Sequence, residues 1–289
     1  MLLGFEEYES QAQNLAQALD LPYARVKVHH FPDHETRVTL PAKLPKHVVF
    51  CRSLDRPNEK LIELLLAANT ARQLGARRLT LVVPYLCYMR QDVAFSEGEA
   101  ISQRIIGRFL ADLFDDVITV DPHLHRVHNL AEAVPATNAI ALSATGVMRD
   151  FLRSHSDAIL LGPDSESEQW VKVIAEGGGL SYGVADKQRL GDREIRITLP
   201  ELEMDNKHVV LVDDIVSSGE TIAIAAQHCF ERGAKRIDLL VVHPLFARGA
   251  IKRLQQIGVG EIWSTDSIPH SSNCMKLAEL LAESVRTIS

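Results

Sequence analysis

Few features of this 289-residue chain invite the common cofactor readings. Its four cysteines, Cys51, Cys87, Cys229 and Cys274, form no Cys-x-x-Cys pair and no metal spacing. That argues for a reduced, cytoplasmic protein in which each cysteine packs as a small buried hydrophobe. No G-x-x-x-x-G-K-[ST] loop occurs, so any ATP is not held by a Walker-type cradle, and no strand-embedded G-x-G-x-x-G supports a dinucleotide fold. Positive charge is in deficit, with a net charge of −7. This argues against nucleic acid as the main partner, because phosphate backbones are held by an excess of Lys and Arg. Long apolar runs are missing as well: the best, Leu61 to Ala71, is broken by Glu63 and Asn69 and falls short of the roughly 20 residues of a membrane helix. The start, Met1-Leu2-Leu3-Gly4-Phe5-Glu6-Glu7, lacks the basic and apolar regions of a signal peptide. A soluble protein is expected.

The hydrophobic share of 46% supports a substantial core. Near the C-terminal third, Val209-Val210-Leu211-Val212 reads as a strand covered on both faces, and it runs straight into Asp213-Asp214-Ile215-Val216-Ser217-Ser218-Gly219-Glu220-Thr221. Hydroxyls and backbone N–H groups of Ser217, Ser218, Gly219 and Thr221, at the start of a helix near Thr221, suit a phosphate. Asp213 and Asp214, acceptors only, suit the vicinal hydroxyls of a ribose.

A duplication is visible. Gly75 to Pro84 resembles Gly233 to Val242, and Lys46-His47-Val48-Val49-Phe50 resembles Lys207-His208-Val209-Val210-Leu211. Each copy reads strand, loop, helix, Gly-Ala-basic turn, strand, a βαβ unit with glycine at the helix end. The expected fold is therefore α/β, two tandem domains over 1–140 and 141–289, each a mainly parallel sheet flanked by helices. The join is placed in the weakly patterned stretch Pro135 to Ser143, before a helix at Ala144 to Leu152, and a last helix is expected at Cys274 to Val285. Where the second copy has its acid and hydroxyl loop, the first has Arg52-Ser53-Leu54-Asp55-Arg56-Pro57-Asn58, so only the second keeps a phosphate cradle.

Further motifs follow apolar strands, where open α/β sheets bind ligands. They are Pro84-Tyr85-Leu86-Cys87-Tyr88-Met89-Arg90-Gln91-Asp92, Asp121-Pro122-His123 and Gly162-Pro163-Asp164. Together with Phe31-Pro32-Asp33-His34-Glu35, Lys187-Gln188-Arg189 and the Asp213 to Thr221 stretch, their order and spacing resemble the motif set of ribose-phosphate diphosphokinases across nearly the whole chain. The resemblance implies phosphoribosyltransferase-like domains and transfer of the β,γ-diphosphoryl group of ATP to the 1-hydroxyl of ribose 5-phosphate.

Residue by residue, it implies that Asp213 and Asp214 face the ribose hydroxyls and that Ser217, Ser218, Gly219, Glu220 and Thr221 hold the 5-phosphate. Arg90, Gln91 and His123 would hold ATP, with Asp92 in support. His123 would also ligate Mg²⁺, with Asp164 as a second acid for metal. Lys187 and Arg189, on a mobile loop between Ala185 and Arg193, would close over the reacting phosphorus, with Arg189 also serving the sugar phosphate. Phe31, Asp33 and Glu35 would reach the adenine of a neighbouring subunit, making the active form a homo-oligomer with its site at a subunit interface. His125, His128, His29, His30, Trp170 and Trp263 read as structural or surface residues. Two departures from the family pattern stand out: Ser165-Glu166-Ser167-Glu168 where glycines are common, and Glu220 inside the phosphate loop. The competing readings are a phosphoribosyltransferase and a non-catalytic regulatory homologue.

Overall fold

The computed structural model describes residues 1–94, 96–124, 126–127, 129–155, 157–189 and 195–288. Contacts divide the chain into two units: Met1–Ser143 with Ser267–Pro269 and Leu277–Ser289, and Ala144–Asp266 with His270–Lys276.

The first unit runs β1 (Leu2–Gly4), α1 (Glu9–Ala18), β2 (Tyr23–Arg25), β3 (Lys27–His30), β4 (Thr36–Thr39), β5 (His47–Cys51), α2 (Pro57–Gln73), β6 (Arg78–Val82), α3 (Ser102–Leu113), β7 (Asp116–Val120), α4 (Leu130–Ala133) and β8 (Asn138–Leu142). Its parallel sheet has the order β2-β1-β5-β6-β7-β8, with β3 and β4 forming a separate antiparallel pair. The second runs α5 (Thr145–Leu152), β9 (Ile159–Gly162), α6 (Glu168–Gly178), β10 (Ser181–Val184), β11 (Asp186–Arg189), β12 (Ile195–Thr198), β13 (His208–Ile215), α7 (Glu220–Glu231), β14 (Arg236–His243), α8 (Ala250–Ile257), β15 (Ile262–Thr265) and β16 (Asn273–Met275). Its sheet, β10-β9-β13-β14-β15-β16, repeats the first in order and in parallel sense, again with one hairpin, β11–β12, after the second strand.

The expected pair of α/β units is thus present, and the apolar pattern explains both sheets. Val48 to Cys51 and Val209 to Val212 are buried because helices cover both faces of a parallel sheet. Phe5, Phe50 and Phe114 anchor the first core, with the Phe50 and Phe114 rings meeting edge to face at 5.6 Å. Val209, Leu211, Ile222, Ala226, Leu239 and Val241 anchor the second.

Two sequence expectations need correction, and two further details of the fold add to the reading. Cys274 and Met275 do not begin the last helix; they form edge strand β16, paired to β15, and the helix α9 spans Ala278–Ile288. Cross-strand pairing there overrides helix propensity, and Cys274 is exposed rather than buried. The stretch Pro135 to Ser143 contains edge strand β8, with the short apolar run Ala139-Ile140-Ala141-Leu142, and ends at Ser143, the last residue of the first unit before the second begins. The loop expected from Ala185 is a strand from Asp186 to Arg189; Leu190 to Arg193 lie outside the described residues. Finally, α9 returns to the first unit, where it packs on α1, β7 and β8 through Leu281, Ala282 and Val285, and Arg286 bonds the Ala18 carbonyl.

The two hairpins reveal a repeat that sequence reading missed. Arg37-Val38-Thr39-Leu40-Pro41 matches Arg196-Ile197-Thr198-Leu199-Pro200, in β4 and β12 and the residues just after them, the second strands of the two antiparallel pairs. The Phe31 hairpin and the Lys187 hairpin are therefore the same element in the two copies.

Candidate active site

In the second unit, β13 carries Asp213 and Asp214 at the C-terminal end of a central strand, between β9 and β14. Asp213 accepts the Asp214 backbone N–H at 3.0 Å. Burial, then the Asp214 and Asp164 carboxylates, push the Asp213 carboxyl well above the usual range. Three acids thus share one corner of the sheet, where a bound cation or a sugar's hydroxyl donors would relieve them.

Asp164 follows β9 and is fixed by its turn. One oxygen accepts the Glu166 N–H at 3.1 Å, and the Ser167 hydroxyl donates to the Asp164 carbonyl at 2.5 Å. The other carboxylate oxygen takes the Lys187 ammonium at 2.9 Å, an ion pair that reaches from β11 and is largely shielded from solvent. The Ser165-Glu166-Ser167 segment that departs from the family pattern forms this short helical turn, with Glu166 exposed. The side chain of Arg189 lies outside the described residues, although its backbone pairs with Ile195.

The loop after Ile215 is built for close approach. Gly219 has φ 71° and ψ 10°, a left-handed conformation that side chains adopt at a cost, and it caps α7. The Ser217 carbonyl accepts Ala247 N–H at 2.8 Å, which ties the loop to the segment after β14. Ser217 and Thr221 are half-buried, while Ser218 and Glu220 are exposed. Glu220 occupies the first position of α7, one residue from the place where the helix N-terminus would meet a phosphate.

In the first unit, Arg90 is exposed and Gln91 is held on both ends of its amide: Nε2 donates to Glu99 at 2.7 Å and the Ser102 hydroxyl donates to Oε1 at 2.7 Å. Asp92 does not brace these neighbours. Its buried carboxylate takes Arg126 at 2.6 Å, a residue the sequence reading left aside and that no motif flagged. His123 is half-buried in the segment after β7, and His125 and His128 lie outside the described residues. Phe31, Asp33 and Glu35 form the exposed tip between β3 and β4, closed by Phe31 N–H to Glu35 carbonyl at 2.8 Å and Glu35 N–H to Asp33 at 3.2 Å. The Phe31 ring meets His29 edge to face at 4.7 Å and has the Arg37 guanidinium 5.9 Å from its centroid.

The counterpart of the acid corner is filled by the protein itself. Arg52, where the second copy has Asp213, donates to Glu7 at 2.6 Å, to Glu63, and to the Lys60 carbonyl at 3.2 Å, with its guanidinium 3.9 Å from the centre of the Phe5 ring. Lys60 in turn donates to Asp55 at 2.7 Å and to the Ser53 carbonyl at 2.9 Å.

Comparison with known proteins decides the family. The sequence model of the N-terminal domain of ribose phosphate pyrophosphokinase matches residues 1–113, and that of the phosphoribosyl synthetase-associated domain matches residues 202–289. The chain is 32% identical to the ribose-phosphate pyrophosphokinase of Methanopyrus kandleri over 290 aligned positions, covering 100% of this chain and 99% of the relative. The chain belongs to the ribose-phosphate pyrophosphokinase family. The Pyrococcus furiosus member is 33% identical over 86% of this chain and 88% of its own length. A crystal structure of phosphoribosylpyrophosphate synthetase from Mycobacterium smegmatis superposes with a TM-score of 0.85 at 23% identity, covering 100% of this chain and 98% of the other, and shares the fold. As a member of this family the chain is an enzyme, and among the described residues no helix is long and apolar enough to cross a membrane.

Proposed function

We propose that this enzyme transfers the β,γ-diphosphoryl group of ATP to the 1-hydroxyl of ribose 5-phosphate, giving phosphoribosyl pyrophosphate and AMP, in the cytoplasm. One observation carries the proposal: of two copies of the same unit, only one keeps the Asp213-Asp214 corner and open hydroxyl loop, while the other fills that corner with Arg52. In this reading the second unit takes the sugar and the first the nucleotide.

Asp213 and Asp214 accept the ribose hydroxyls, and Ser217 to Thr221 hold the 5-phosphate at the start of α7. The 1-hydroxyl oxygen attacks the β-phosphorus as the bond to the bridging oxygen of AMP breaks, and the hydroxyl proton leaves to solvent. Negative charge grows on the nonbridging oxygens, and Lys187 and Arg189 stabilise it more than they stabilise the ground state. For Lys187 this requires exchanging Asp164 for the phosphoryl group. Arg90 and Gln91 hold the nucleotide, and Phe31, Asp33 and Glu35 contact the adenine of a neighbouring subunit in a homo-oligomer.

Mg²⁺ fits the donors present. Among the described residues no cluster of three or more His, Cys, Asp or Glu forms a metal cage. A cation that retains its waters and takes phosphate oxygens needs none, and the crowded Asp164 and Asp213 carboxylates supply hard oxygen donors. Asp164 on the sugar side and His123 on the nucleotide side are the proposed protein ligands; the ion would neutralise phosphate charge.

The test is direct: incubate the purified protein with ATP, Mg²⁺ and ribose 5-phosphate, and follow AMP and the diphosphorylated sugar. Stoichiometric AMP and phosphoribosyl pyrophosphate are expected. Turnover of the diphosphorylated sugar with a nucleobase, without AMP from ATP, would make it a phosphoribosyltransferase; neither activity from folded protein would make it a regulatory homologue.

A further inference from the structure

The nucleotide side contains a guanidinium that the family motifs do not mention. Asp92 is a carboxylate whose side chain is only 2% exposed, and its charged partner is Arg126, at 2.6 Å from Nη1 to Oδ1. Its second oxygen, Oδ2, is buried without a hydrogen-bond partner. A carboxylate buried with one oxygen unpaired costs free energy, and a role for the cation it holds would account for its retention. The Arg126 side chain, by contrast, is 61% exposed, so Nη1 is fixed by Asp92 while the Nη2 and Nε N–H groups face outward for a ligand.

Position strengthens the reading. Asp92 lies in the segment after β6 and Arg126 in the segment after β7, adjacent parallel strands, and ligands of α/β sheets bind outside the carboxyl ends of the strands. Charge points the same way. From Gln91 to Gln103 the chain has Asp92, Glu97 and Glu99 and not one Lys or Arg. A triphosphate approaching Arg90 there gains no further cation from the following residues, and the guanidinium that Asp92 brings across from the next loop supplies one.

We propose that Arg126 is a phosphate-binding residue for the nucleotide, presented by Asp92 as its positioning residue. The inference rests on the nucleotide-side assignment above. Guanidinium geometry suits phosphate oxygens, and a side chain already held at one nitrogen loses less rotamer freedom on binding.

The experiment uses the full chain and two readouts, ATP binding by calorimetry in Mg²⁺ and steady-state AMP formation. Arg126→Ala, a change at an exposed side chain, is expected to weaken ATP about 10-fold or more while the KM for ribose 5-phosphate stays within about twofold. Arg126→Lys is expected to recover only part of this, since a point charge cannot reproduce the fork. Asp92→Asn should weaken ATP by less than Arg126→Ala and add little on top of it, the signature of a residue acting through its partner. ATP affinity unchanged in Arg126→Ala would overturn the inference, as would loss of ribose 5-phosphate affinity in place of ATP affinity. Binding separates the two levels: if ATP binds the parent protein and needs Arg126 but no AMP forms, the reaction assignment fails and this inference stands.

Discussion

Arg52, just past the end of β5, stands in the first unit where Asp213 stands in the second: both follow a His-Val-Val strand start, His47 and His208, paired with Arg78 and Arg236 on the next strand. The exchange inverts the charge of the corner. It turns a corner of crowded carboxylates into a closed ionic cluster, with Arg52 and Glu63 side chains 4% and 3% exposed.

Breaking that cluster from one side should be costly. Arg52→Ala leaves Glu63 buried without its main cation, and loss of about 3 kcal/mol of stability is expected. Replacing both, Arg52→Met with Glu63→Leu, should recover most of it, because the pair's own desolvation cost disappears. Denaturant unfolding of the parent and both variants checks this; equal losses would show that the cost comes from lost packing and not from the unpaired Glu63 charge.

Asp213 should trade stability for binding. Its carboxyl is raised in the folded protein, so folding favours the protonated form. That favourable contribution is complete below the unfolded carboxylate value of about 3.9 and is lost as pH rises through the folded value. Asp213→Asn, which cannot ionise, should therefore raise Tm more at pH 8 than at pH 5, while weakening ribose 5-phosphate. A Tm gain independent of pH would contradict the crowding of Asp213 by Asp214 and Asp164.

Lys187→Ala is expected to lower kcat about 100-fold or more with little change in the KM for ribose 5-phosphate, as for a lost transition-state donor. A rise in KM alone would reassign Lys187 to holding Asp164 in place.

Glu220 opposes the ligand its loop invites. An acid at the first position of α7 favours the helix dipole but repels a phosphate at the same end. Glu220→Gln should lower the KM for ribose 5-phosphate severalfold at low ionic strength, with the gain shrinking in salt. An unchanged KM at low salt would mean that the carboxylate lies clear of the phosphate.

Gly219→Ala separates strain from space. A Cβ there meets Ala250 and Leu254 at ordinary contact distances of 3.6 Å, so the cost is the left-handed backbone, about 1 kcal/mol. Sugar-phosphate affinity should fall, since relaxing the backbone re-aims the loop's N–H groups.

The sequence made the sheets and the acid corner readable because both rest on local signals: buried four-residue runs, the Gly-Ala-basic turns, and acids followed by small hydroxyl residues. Edge elements were less legible. β8 and β16 owe their existence to a neighbouring strand, and Cys274-Met275 carry no alternation that separates strand from helix. β11 was hidden because Asp186 to Arg189 are polar; the echo of Arg37 to Pro41 in Arg196 to Pro200 was the available signal. Arg126 could not be read at all, since only folding brings it to Asp92.

The return of α9 to the first unit has a practical meaning for dissecting the enzyme. Leu277–Ser289 completes the surface of α1, so a fragment ending at Ser143 would expose the apolar face that Leu281, Ala282 and Val285 cover. In topological terms the whole second unit is an insertion within the first. A stop codon is then the wrong scissors: isolating the first unit calls for excising the middle of the gene and bridging the gap with a linker.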